Sequence, residues 1–321
     1  MKAEGLDGAV LHSAADLLYV KNGYELAFGE LVATLAWTPH VAHQVQSILD
    51  AEKSEKYVIF ILSQDLTPAI SADLHFIREY SVHYNRRHVK SVRNLHYFHQ
   101  KLKQTLDQGA FLSILYEKNQ PRAYCLCRKE GNHLTFFEQY SLTESKSDYL
   151  QLWAAFLDEF DGPIPQLQLK LYHEDHVLLA LIQTFGGNVA WRFSTGNMIQ
   201  FFNPLPLLQK MQTDFSLRVE SSTLNDTSGS FLLSIDGIEI LLAIHNGVVT
   251  VTDASASQFD NTPLCGKCEM TSRQLATLVL GFFPAIEILD ESQFGNDKQC
   301  ENLLAILFPE LHPIWDYFDN Y

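Results

Sequence analysis

His12-Ser13-Ala14-Ala15-Asp16-Leu17-Leu18-Tyr19-Val20-Lys21-Asn22-Gly23-Tyr24 is the stretch that decides how this chain folds. Ala14 to Asn22 has the residues of a helix, Ser13 suits its N-cap, and Gly23 stands where a helix ending in the left-handed region needs a residue without a Cβ. Strand-like runs flank it, Asp7 to Leu11 before and Tyr24 to Leu26 and Val32 to Trp37 after. The order strand, helix, glycine, strand, strand then returns at Gln166 to Leu171, His176 to Phe185, Gly186-Gly187, Val189 to Phe193 and Met198 to Phe202. Such a repeat predicts two copies of one α/β unit, the first missing its front.

Between the two stretches the pattern predicts a helix at His40 to Glu52, a buried strand at Tyr57 to Leu62 and a helix opening at Thr67-Pro68 and running to about Tyr84. Phe111 to Tyr116, Arg122 to Arg128 and His133 to Tyr140 read as an antiparallel meander, and Ser147 to Phe160 as an amphipathic helix. Asn203-Pro204-Leu205-Pro206 reads as a linker. Beyond it, Phe215 to Val219, Phe231 to Ile235, Ile238 to Ile244 and Val248 to Thr252 read as strands, with Asp236-Gly237 and Asn246-Gly247 as hairpin turns. A helix from an N-cap at Ser272 to Gly281, another at Glu301 to Phe308 and an aromatic tail close the chain. The expected class is mixed α+β in three pieces: residues 1–45, 56–205 and 211–321.

A chain of 321 residues exceeds the roughly 250–300 at which one core stops growing. Hydrophobic residues make up 46% and charged residues 19%, which suits globular domains. The longest apolar candidate, Leu275 to Leu289, carries Glu287 and falls short of the roughly 18 residues of a membrane span. Met1-Lys2-Ala3-Glu4-Gly5 has no apolar secretory core, and five cysteines in so long a chain fit a reducing cytoplasm. The net charge of −15 is concentrated between Asp214 and Asp319, a region that should repel nucleic acid. Arg78 to Lys103 is locally basic and reads as a solvated helix face.

Catalytic motifs are scarce. There is no Gly-x-Ser-x-Gly elbow, no phosphate loop of nucleotide hydrolases and no His-Glu-x-x-His, so hydrolase and ATPase readings lack support. Cys265-Gly266-Lys267-Cys268 has the spacing of a zinc or redox pair, but Cys125-Leu126-Cys127 reads as strand packing and no matching ligands complete a metal site. His173 and His176 read as surface or capping residues. Arg128-Lys129-Glu130-Gly131-Asn132-His133 lies between two strands and reads as a hairpin turn.

The run from His12 to Tyr24, a helix bearing Leu-Tyr and then Gly-Tyr, resembles the closing motif of the GNAT N-acetyltransferases. Two such units and an acidic sheet-and-helix domain, itself similar to sterol carrier proteins, form the plan of the Eis (enhanced intracellular survival) acetyltransferases. The resemblance implies acyl transfer from acetyl-CoA to a small-molecule or peptide amine, with no metal. Tyr19 would be the general acid, the terminal carboxylate of Tyr321 the base, and His12 and Ser13 would lie near the coenzyme. It also implies a homo-oligomer. A complete unit has an Arg/Gln-x-x-Gly-x-Gly/Ala loop before the strand corresponding to Asp7 to Leu11, and only Met1 to Gly5 stand there. The second unit has Ser141-Leu142-Thr143-Glu144-Ser145-Lys146 at that address, with no glycine and an acidic residue, and Ile182 in place of Tyr19. The second copy is therefore expected to be structural. A chain lacking the loop could also be a non-catalytic descendant that binds an apolar ligand or a partner.

Overall fold

A computed structural model describes residues 8–12, 19, 21–22, 24–26, 29–51, 56–84, 93–159, 166–171, 175–193, 197–255, 264–281, 283–290, 293 and 298–311. The first elements are β1 (Gly8–His12), β2 (Glu25–Leu26), β3 (Gly29–Ala36), α1 (Pro39–Ala51), β4 (Lys56–Ile61), α2 (Pro68–Tyr84) and α3 (Leu95–Asp107). Then come β5 (Phe111–Glu117), β6 (Gln120–Glu130), β7 (His133–Ser141), α4 (Lys146–Glu159), β8 (Gln166–Leu171), α5 (His176–Thr184), β9 (Asn188–Phe193) and β10 (Asn197–Phe201). The rest is α6 (Pro204–Lys210), α7 (Gln212–Glu220), β11 (Gly229–Ile235), β12 (Ile238–His245), β13 (Val248–Asp253), β14 (Leu264–Met270), α8 (Ser272–Leu280), α9 (Ala285–Ile288) and α10 (Lys298–Leu307). The described residues form two compact units, one drawn from 8–26 and 197–311, the other from 29–193.

The unit of residues 29–193 is built on a seven-stranded sheet of order β4-β5-β6-β7-β8-β3-β9. Alternation along β6 sends Cys125 and Cys127 into one core with Trp153, Phe156 and Leu181, while Leu126 joins a second core with Leu74, Phe98 and Leu102. The sheet is thus covered on both faces. β7 and β8 are the one parallel pair in this sheet, and their ladder runs only from His133↔Gln166 to Phe136↔Leu169. The last five residues of β7, Phe137 to Ser141, therefore have no ladder to β8.

The two copies exchange a strand. In the second copy the strand after α5, β9, does not pair with β8; β3 stands between them, antiparallel to both. In the first copy β10 stands between β1 and β2 in the same way, giving the order β1-β10-β2. Each copy's middle strand is the last strand of the other. The expected boundary between residues 1–45 and 56–205 therefore does not separate two sheets. Gly187 is required by this packing, since a Cβ there would come within 2.7 Å of Ile182 Cγ2 and 2.8 Å of the Thr34 carbonyl on β3.

In the other unit, a four-stranded sheet of order β13-β12-β11-β14 packs against a core that includes Phe215, Leu275, Leu304 and Phe308. Asp236-Gly237 and Asn246-Gly247 turn with positive φ at all four residues, as the hairpin signals require. Phe215 to Val219 is helical, not extended: it lies in α7, where Phe215 and Val219, four residues apart, are buried on one face. Asn203-Pro204-Leu205-Pro206 is no linker either. It opens α6, whose first turn tolerates proline because those amides lack intrahelical partners. The cap of α8 is Thr271 rather than Ser272, in a reciprocal box with Gln274, and Gly281 ends the helix at φ 67.

Candidate functional site

The turn after the helix is the same object in both copies. In the second, Gly187 N–H donates to the Ile182 carbonyl at 2.8 Å, with Gly186 at φ 75. In the first, Tyr24 N–H donates to the Tyr19 carbonyl at 3.1 Å. Both bonds reach back five residues, and in the second copy this is the closure of a helix that ends in the left-handed region. Tyr19 and Ile182 therefore hold one structural position. Ile182 is fully buried in the core, whereas Tyr19 is half-buried and sets its ring edge-on to Tyr24, centroids 5.7 Å apart. A phenol at this position can donate a proton; an isoleucine can only pack.

Of the other expected site residues, His12 pairs through its backbone with Asn197. The His12 side chain, Ser13 and Tyr321 lie outside the described residues. Tyr19 is thus the expected site residue whose side chain lies among the described ones.

The address of the coenzyme loop in the second copy, between β7 and α4, is filled by the chain's own carboxylates. Glu144 falls at the loop motif's first glycine and adopts φ 48, left-handed despite its side chain. Its carboxylate accepts from Ser81 on α2 at 2.5 Å and from Tyr149 on α4 at 2.8 Å. Asp148, buried in the first turn of α4, accepts from Ser141 at 2.7 Å and Thr143 at 2.8 Å. Lys56 reaches Asp148 from β4 at 3.0 Å and donates to Ser147 at 2.9 Å. A helix N-terminus favours negative charge, and here the charge is internal. Two carboxylates and their donors thus occupy the segment between β7 and α4.

Of the basic stretch Arg78 to Lys103, Lys103 is exposed as expected, Arg78 and Arg93 turn inward, and residues 85–92 lie outside the described ones. Arg78 and Arg93 are buried, and both approach Glu138 Oε1, Arg93 Nη1 at 2.6 Å and Arg78 Nε at 3.6 Å. Arg78 also pairs with Glu79. Beside them the Tyr124 phenol is wholly buried with no hydrogen-bond partner among the described residues. Burial holds it well above the ordinary phenol pKa, helped by Glu138 and Tyr140 and opposed by Arg78 and Arg93. Sequence reasoning missed this cluster because nothing local distinguishes a lysine or arginine that snorkels from one that is paired inside.

Burial raises the Cys125 and Cys127 thiols well above their usual range, which suits packing rather than thiolate chemistry. Cys268 is buried on β14 beside Cys300 of α10, whose thiol hydrogen bond lowers its pKa. No three His, Cys, Asp or Glu side chains among the described residues gather as a metal site would require. An apolar cavity of about 120 Å³ lies among Leu224, Phe231, Ile244 and Leu303, well under the roughly 300–1,000 Å³ of ordinary ligand sites. No helix among the described residues is long and apolar enough to cross a membrane.

Neither a family model nor a curated protein matches the sequence. Solved structures do. A GCN5-related N-acetyltransferase from Anabaena variabilis ATCC 29413 superposes with a TM-score of 0.60 at 15% identity, over 98% of this chain and 73% of that one. A probable N-acyltransferase from Enterococcus faecalis V583 gives 0.63 at 14% identity, over 98% and 71%. Eis1 from Mycobacterium abscessus gives 0.55 at 10% identity, over 100% and 75%. These superpositions cover nearly the whole chain: it has the mixed α/β fold of the GCN5-related N-acetyltransferases.

Proposed function

We propose that the chain carries the proton-donor side of an Eis-like N-acyltransferase site in its first copy, around Tyr19, and that the second copy is scaffold. The observation that supports this is the shared position of Tyr19 and Ile182: the phenol stands in the first copy, and the copy that lacks it is the one closed by Glu144 and Asp148. An acyl-coenzyme A thioester supplies the activated acyl group. The amine nitrogen forms the new bond to the carbonyl carbon as the carbon–sulfur bond breaks. Tyr19 gives its proton to the leaving sulfur, and the carboxylate of Tyr321 takes one from the amine. The excess of acid between Asp214 and Asp319 favours a cationic amine. The sterol carrier-like plan of residues 211–321, a cytoplasmic location and a homo-oligomer go with this reading.

The closed loop also favours a second reading, a non-catalytic scaffold descended from the same fold. Calorimetric titration with acetyl-CoA and release of free thiol in the presence of a polyamine separate the two. Binding with turnover that falls in Tyr19→Phe supports the transferase. No heat at millimolar coenzyme leaves the scaffold reading for this chain.

A further inference from the structure

We infer that Cys268 and Cys300 form a redox modification site, a thiol pair that hydrogen peroxide converts into a disulfide between β14 and α10. Two periodicities bring the sulfurs together. Along β14, Cys268 and Met270 turn inward while Lys267 and Glu269 stay exposed, the alternation of a strand with one covered face. Along α10, Cys300, Leu303, Leu304 and Leu307 form the buried stripe at helical spacing. The Cys300 sulfur comes to 4.0 Å from the Lys267 carbonyl oxygen on β14, and its thiol is hydrogen-bonded to Cys268. Cys125 and Cys127 differ. They stand side by side on one face of β6, roughly 7 Å apart and at the limit of what a disulfide spans, and burial holds both thiols protonated. At Cys268 the hydrogen bond from Cys300 instead favours the thiolate, the form that attacks peroxide.

Hydrogen peroxide is small enough to reach a packed core through its local openings. The Cys268 sulfur attacks one peroxide oxygen, the O–O bond breaks, the other oxygen leaves as water, and Cys268 becomes a sulfenic acid. The Cys300 sulfur then attacks the Cys268 sulfur, the S–O bond breaks, and a second water leaves with the Cys300 proton. Two thiols and one peroxide give one disulfide and two waters. The bridge encloses residues 269–299, with α8 and α9 among them, and so takes a long loop out of the freedom of the unfolded chain.

Peptide mapping of the folded full chain after millimolar peroxide, with remaining thiols blocked and no reductant, tests this. Trypsin cuts after Lys267, Arg273 and Lys298, so Cys268 leaves in peptide 268–273, Cys300 in 299–321 and Cys265 in 219–267. Peptide 268–273 should be found joined to 299–321, and dithiothreitol should release both. The oxidised protein should unfold at a higher urea concentration than the reduced one. Cys300→Ala, close in volume, should abolish the joined peptide and the upward shift together. Cys268 joined to Cys265 or to a second chain, carried to the sulfinic acid without a partner, or left as a free thiol would each overturn the inference. So would a joined peptide that forms only after unfolding in urea. Neither thiol takes part in the proposed acyl transfer, so this test and that of Tyr19 fail separately.

Discussion

The two copies of one motif have been put to different use. Around Tyr19 the first copy keeps a half-buried phenol above a helix turn closed by Tyr24. Around Ile182 the second fills the same place with an aliphatic side chain packed into a continuous core, and needs glycine at 187 to bring the turn against β3. The difference extends to the segment between β7 and α4, where the second copy holds two carboxylates bonded to its own side chains.

The comparison breaks most readily at Asp148. Asp148→Ala should lower the unfolding free energy in urea by about 3–5 kcal/mol, because it leaves the Lys56 ammonium buried without its anion. A change under about 1 kcal/mol would show that the second copy does not depend on its internal charge. Tyr19→Phe tests the other copy. It should slow acyl transfer about 100-fold or more, the usual worth of a positioned acid, while shifting stability by no more than about 0.5 kcal/mol since the ring contact with Tyr24 survives. Equal rates for both proteins would make Tyr19 a packing residue like Ile182.

Glu144→Gly sharpens the contrast by setting two effects against each other. Glycine relieves a left-handed residue, a gain of about 1 kcal/mol, but strips acceptors from Ser81 and Tyr149, a loss of about 1–3 kcal/mol. A modest net drop in thermal midpoint is expected; a rise would mean that the strain outweighs the bonds. The smallest effect is Tyr124→Phe, which removes a buried hydroxyl without a described partner and should stabilise by about 1 kcal/mol. The raised pKa of Tyr124 also fixes a sign. The unfolded phenol loses its proton first, so this contribution is intact at neutral pH and declines as pH climbs beyond about 10. Alkaline melting of Tyr124→Phe should be flatter than that of the parent.

Much of the fold is legible locally. Dipeptides such as Asn246-Gly247 specify their turns through backbone conformations few other residues accept, and Gly281 ends α8 for the same reason. Phe215 to Val219 misleads because Phe215, Leu217 and Val219 alternate with Ser216 and Arg218 as a strand would, and only burial decides for helix: Phe215 and Val219, four apart, are buried while Leu217 is exposed. The strand exchange leaves no local mark, since β3 and β10 have the same alternation whichever neighbours they pair with. At the site, the missing glycine and the negative charge of Glu144 are visible in sequence. Of what holds that charge, Tyr149 is five residues away, but Ser81 on α2 is 63 residues away and is brought there only by packing between distant segments.

The exchange of strands has a temporal side. β1 finds its antiparallel neighbour in residues translated nearly two hundred positions later, from Gly8 against Phe201 to His12 against Asn197. At ribosomal speeds of about 5–20 residues per second, the first strand must wait roughly 10–40 s with its edge unpaired. β1 therefore cannot complete its sheet until β10 has emerged. Fragments that end before β10 leave β1 without this neighbour and should aggregate more readily than the full chain.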